Sequence, residues 1–190
     1  HLNGLGEDGY EVDLFIFAHG TTGRFLTSLG TYGQSTWTSG AFVAANVAPL
    51  SMRAVWQCNC YGSTLNATWR SLGARASAGS RFVDFYPTRF RGFMNGWSDG
   101  KTFAQALSDS DTALVRTPVQ AYMIADATTR LKEWDGSIFS APTILGKNKA
   151  SERYFRECWL GDDVDPGLSG KANMNRASEM LVEGDGRVLR

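Results

Sequence analysis

The sequence predicts an α/β layered domain built on a mostly parallel sheet. Three observations carry this. Val12–Ala18 (VDLFIFA) is an almost unbroken run of β-formers stopped by His19-Gly20, and Met52–Trp56 repeats the pattern before the polar cluster Gln57-Cys58-Asn59-Cys60. Short apolar runs of this kind are strands buried on both faces, as parallel sheets require. Helix-like segments alternate with them, and that order folds as layers around one sheet.

Residues 1–11 are Gly-rich and acidic and read as a loop. Val12–Ala18 is the first strand. Residues 20–40, rich in Gly, Thr and Ser, read as a long loop with a short helix near Phe25–Leu29. Ser39 caps a helix over Gly40–Ala48 that Pro49 ends. After the strand at Met52, Tyr61-Gly62 forms a turn, Ser63 caps a helix reaching Leu72, and Gly73 takes the left-handed position that follows. Arg75–Tyr86 reads as a third strand with an irregular end. Helices are expected over Thr88–Trp97 and Lys101–Asp109, broken at Asp99-Gly100. A long helix over Leu114–Trp134, a fourth strand at Pro142–Leu145, a loop over Gly161–Gly170 and a helix over Ala172–Val182 complete the reading, with 147–190 as a polar extension of a single 1–190 domain.

Composition narrows the function. Lys plus Arg and Asp plus Glu each number 19, so the chain lacks the basic excess that binding to nucleic acid needs. The longest apolar runs, Leu14–Ala18 and Ala41–Ala45, are too short to span a bilayer, and no signal peptide is evident. Three cysteines are too few for a disulfide scaffold. Cys58 and Cys60 lie two apart, and the expectation is that they do not pair. A reducing compartment such as the cytoplasm is the easier fit.

The chemistry gathers at strand ends. Open α/β sheets place active residues outside the carboxyl ends of their strands, and His19 and Cys60 each occupy such an end. Of two histidines, His19 alone is interior. A thiolate, an imidazole and main-chain N–H donors are the parts of a cysteine hydrolase. Cys60 supplies the first, His19 the second, and the amides of Gly20 and Cys60 the third. A helix soon after Cys60 is expected to favour the thiolate. Cys58 fits the nucleophile less well, because no Gly follows it two residues later, and reads as core. Cys158 reads as incidental.

The blocks Leu14-Phe15-Ile16-Phe17-Ala18-His19-Gly20 and Ala54-Val55-Trp56-Gln57-Cys58-Asn59-Cys60-Tyr61-Gly62-Ser63, with 41 residues between His19 and Cys60, resemble the caspase-like cysteine peptidases. That spacing compares with roughly 50 in caspases. Downstream, Leu72-Gly73-Ala74-Arg75, Phe90–Trp97 and Gly100–Leu107 resemble the CHAT-domain pattern, so the resemblance covers about residues 12–112. It implies a caspase-like three-layer α/β/α sandwich, short of its first strand–helix unit because only eleven residues precede Val12. A missing N-terminal segment or a partner chain would supply that unit. The resemblance further implies a polypeptide substrate, no cofactor and no catalytic metal. It also marks Ser80 and Asp84 as substrate-pocket positions, Asp84 as a lure for a basic P1 side chain. Asn59 departs from the pattern, where Ala or Cys usually precedes the nucleophile. Trp37, Tyr61, Phe82 and Tyr86 are candidates for lining the groove or for packing. Two other readings compete: a non-catalytic caspase-like regulatory or binding module, and a scaffold with zinc held by His19, Cys58, Cys60 and Cys158.

Overall fold

A computed structural model describes residues 2–28, 35–81, 84, 88–111 and 179–190. Its centre is a four-stranded sheet in the order β1-β5-β6-β7, where β1 is Val12–Phe17, β5 Met52–Cys58, β6 Ala74–Ser80 and β7 Met180–Gly184. The first three strands are parallel, and β7 runs antiparallel to β6. The domain is therefore mixed α/β with a mostly parallel sheet. β5 lies between two parallel neighbours, and the sequence alternates accordingly. Ala54, Trp56 and Cys58 face one core, together with Phe93, Trp97 and Phe103. Val55 faces the other, with Val43, Leu65, Trp69 and Leu72. Helices thus cover both faces: α2 (Gly40–Asn46) and α3 (Asn66–Ser71) on one, α4 (Thr88–Ser98) and α5 (Phe103–Ser110) on the other.

Local signals explain most boundaries. The Ser39 hydroxyl accepts from the Phe42 amide at 3.1 Å and caps α2 as expected. Thr102 caps α5 in the same way. Gly73 holds φ +105, and a Cβ there would lie 2.3 Å from the Leu50 carbonyl oxygen, so the turn into β6 needs glycine. Arg53 Nε donates to Asp13 Oδ1 at 2.8 Å, tying β1 to β5. No helix among the described residues is long and apolar enough to cross a membrane.

Four readings need correction. Leu2–Glu7 is a short helix, α1, rather than loop. Residues 20–28 and 35–39 are not a loop with a helix near Phe25. They carry β2 (Gly20–Thr21), β3 (Arg24–Ser28) and β4 (Ser35–Ser39), an antiparallel three-stranded sheet. The reason is β-branched threonine: Thr27 and Thr38 meet across β3 and β4 with hydroxyl oxygens 2.7 Å apart. The segment after Cys60 opens as a 3-10 turn over Gly62–Leu65, so Ser63 sits inside it rather than capping a helix. Residues 180–182, expected at the end of a helix, belong to β7, which pairs with β6 from Ser80↔Met180 to Ala76↔Gly184. The third strand ends at Ser80, and β5 runs two residues past Trp56. The expected helix at 114–134, strand at 142–145 and loop at 161–170 lie outside the described residues.

Candidate active site

Parallel pairing brings the two singled-out residues to one edge. β1 and β5 are in register as far as Phe17↔Cys58, and the Ala18 amide still donates to the Cys58 carbonyl at 3.3 Å. Past that point β5 gives way to a turn, and the His19-Gly20 segment meets it at Cys60. His19 is exposed, and its carbonyl accepts from the Leu26 amide at 2.9 Å, which anchors it to β3. Cys60 is half-buried in the turn after β5.

Glycines allow the backbones to meet. A Cβ on Gly20 would lie 2.2 Å from the Cys60 carbonyl oxygen, and a Cβ on Gly79 would lie 2.3 Å from the Gly62 carbonyl carbon. The first contact seats the His19-Gly20 segment on the Cys60 turn. The second lets β6 pass directly under it. Tyr61, next to Cys60, is left-handed at φ +58, the one non-glycine with positive φ among the described residues. The Thr64 hydroxyl ties the turn together: it donates to the Tyr61 carbonyl at 2.6 Å and accepts from the Gly23 amide at 2.8 Å.

Below the turn lies a buried polar network that sequence reading missed. Gln57 Nε2 donates to the Gly62 carbonyl at 3.1 Å and to Asn66 Oδ1 at 3.0 Å, while Gln57 Oε1 accepts from Trp69 Nε1 at 3.0 Å. Ser77 donates to Asn66 Oδ1 at 2.8 Å, and Asn66 Nδ2 donates to the Leu181 carbonyl at 3.0 Å. Satisfied networks of this kind fix one arrangement of a core. Here the fixed object is the Cys60 turn.

On the other side stands a buried charge cluster. The Ser80 hydroxyl donates to Asp84 Oδ2 at 2.9 Å, Arg89 Nε lies 3.9 Å from the same oxygen, and Arg89 Nη1 lies 3.4 Å from Asp111 Oδ1. The Ser80, Asp84 and Arg89 side chains are wholly buried. The Asp84 carboxylate, expected to draw a guanidinium from substrate, thus faces one from α4. Its carbonyl accepts from the Cys60 thiol at 3.5 Å. Arg89 had a visible signal: it shares the four-residue spacing of Phe93 and Trp97, so a cation stands on the buried stripe of α4. Of the aromatic candidates, Trp37 is exposed and Tyr61 half-buried, while Phe82 and Tyr86 lie outside the described residues, as does Cys158.

The thiols are held neutral. Burial pushes Cys60 above its ordinary value. Main-chain hydrogen bonding at Asp84 pulls it down, the Asp84 carboxylate pushes it up again, and the backbone of Cys60 and Gly20 lowers it without reversing the balance. A helical segment does follow, a 3-10 turn over Gly62–Leu65 that runs into α3, and burial is the largest influence on the Cys60 thiol. Cys58 is pushed up to about 12, by burial first and the Asp84 charge second. A thiol raised in the folded state contributes stability that is full below its unfolded pKa and is lost as pH rises towards the folded one. For Cys58 the loss therefore falls between about pH 9 and pH 12. Its expected size is roughly 1.4 kcal/mol per pH unit for one thiol. Urea unfolding of wild type and Cys58→Ala across this range checks it. The variant loses stability less steeply, and parallel curves would refute the assignment.

Among the described residues no group of three or more His, Cys, Asp or Glu side chains is placed to hold a metal ion. Comparison with protein-family models, curated proteins and solved structures gave no match.

Proposed function

We propose that this chain is a cysteine endopeptidase of the caspase-like kind, related in pattern to CHAT domains, with Cys60 as nucleophile and His19 as its acid–base partner. The observation that supports it most is the seating of the Gly20 main chain against Cys60, at the shared carboxyl edge of two parallel strands. In this reading Cys60 Sγ attacks the scissile carbonyl carbon as its proton passes to the His19 imidazole. The carbonyl oxygen becomes an oxyanion facing the amides of Gly20 and Cys60. Collapse breaks the C–N bond, and the departing amine takes the proton from His19. Water, deprotonated by His19, then cleaves the thioester and returns the thiol. Burial holds the resting sulfur protonated, so His19 acts as a base during attack rather than as half of a preformed ion pair. The reaction as written needs no metal or cofactor.

The same neutral thiol favours the competing reading, a non-catalytic regulatory or binding module. Mass spectrometry after incubation with peptide acyloxymethyl ketones bearing Arg, Lys, Asp, Asn or Leu at P1 separates the two. The expected result is one adduct, on Cys60, that disappears in His19→Ala and reports the P1 class. No adduct, or equal labelling of all three cysteines, would count for the module.

A further inference from the structure

Among the described residues the buried side-chain amides are bonded, with one exception. Gln57 and Asn66 use both ends of theirs. Asn59, equally inaccessible and directly before Cys60, has a hydrogen-bond partner at neither Nδ2 nor Oδ1. An apolar residue of the same size would be cheaper at such a place, because an unbonded buried polar group forfeits its hydration for nothing. The amide is also tightly held. A Cβ on Gly20 would meet Asn59 Nδ2 at 2.8 Å, and a Cβ on Gly62 would meet Asn59 Oδ1 at 2.8 Å. Asn59 is therefore a spacer between the strand end that carries His19-Gly20 and the turn that follows Cys60. The left-handed Tyr61 adds a second departure from low energy on the other side of the nucleophile.

We infer that Asn59 is a positioning residue. It sets the distance between the two proposed oxyanion donors, the amides of Gly20 and Cys60, and its own amide gains main-chain partners only when a substrate carbonyl is seated between them. The inference rests on the peptidase reading. The resting turn is then the less favourable of two arrangements. Its donor end lies beside Gly20 and its acceptor end beside Gly62, whose amide donates in the resting turn to the Asn59 main-chain carbonyl at 3.1 Å, so a rearrangement of this turn is what brings partners to the amide. Stability withheld from the resting state becomes available as the oxyanion forms, which is where binding energy accelerates a reaction.

The test compares wild type with Asn59→Leu, which keeps the volume and removes the amide, and with Asn59→Ala should the leucine variant fail to fold. Turnover of a peptide carrying the labelled P1 class is expected to fall in kcat by roughly tenfold to a hundredfold, as misplacement of catalytic groups does, with KM within about twofold. A second readout is independent of turnover. The melting temperature of wild type should rise more on acyloxymethyl ketone labelling than that of the variant, by about 4 °C, because only wild type has an amide to satisfy. A kcat within twofold of wild type, or equal gains on labelling, would overturn the inference while leaving a labelled and active Cys60 in place. Failure of wild type itself to label overturns the peptidase reading and this inference with it.

Discussion

Cys60→Ala is expected to lower kcat/KM for peptide hydrolysis by at least about 10⁴-fold, since removing a nucleophile leaves only binding and oxyanion stabilisation. His19→Ala is expected to cost about 10²- to 10⁴-fold, the usual range for a positioned acid–base group. The double variant should be no worse than Cys60→Ala alone, because the two act as a unit. Neither change should disturb the fold. His19 is exposed, and the Cys60 sulfur is held only by weak contacts, such as the one to the Asp84 carbonyl at 3.5 Å. Steady-state kinetics with matched thermal melts check this. A Cys60→Ala protein retaining a tenth of wild-type turnover would end the assignment.

The second large effect is on stability. Arg89→Ala removes a cation whose side chain is wholly buried and leaves the Asp84 carboxylate, also wholly buried, without it. Breaking one side of a buried ionic group typically costs about 3–5 kcal/mol, because the remaining charge stays desolvated. The Ser80 hydroxyl on Asp84 Oδ2 softens the loss. Asp111 is partly exposed and can recover water, so the penalty falls chiefly on Asp84. The damage should also reach the site. Arg89 holds the Cys58 thiol lower than burial alone would, and Asp84 lies against Cys60 through its carbonyl. Urea denaturation gives the measurement. A loss below about 1 kcal/mol would show that the cluster carries no such charge balance.

What was legible in the sequence follows from range. β5 announces itself because it is buried on both faces, β1 because it is an unbroken run of β-formers although it is only half-buried, and His19 and Cys60 because a polar residue stops each run. Ser39, Gly73 and Gly100 mark helix limits through chemistry that acts within a few residues. The sheet over residues 20–39 was hidden because serine and threonine suit loops and edge strands alike, and only cross-strand pairing decides between them. β7 was hidden for a different reason: its partner stands about a hundred residues away, and local pattern holds no record of it. At the candidate site, His19 and Cys60 are single-residue signals, whereas the network of Gln57, Asn66, Trp69 and Ser77 exists only once three elements are packed. Arg89 was legible in principle from its place on an apolar helical stripe.

The bond from Asn66 to the Leu181 carbonyl has a consequence for the order of events during synthesis. The strand that supplies Leu181 leaves the ribosome long after β5 and β6 have been made, and the same late stretch brings Val188, whose carbonyl accepts from the Phe103 amide at 2.8 Å and from the Trp97 indole at 3.2 Å. Contacts so distant along the chain are slow to form, since a long loop must close before they return any energy. Cys60 is thus translated early but receives its supporting framework late. A nascent chain that has displayed its thiol for many seconds still lacks the framework beneath the Cys60 turn, which is completed only by the closing strand.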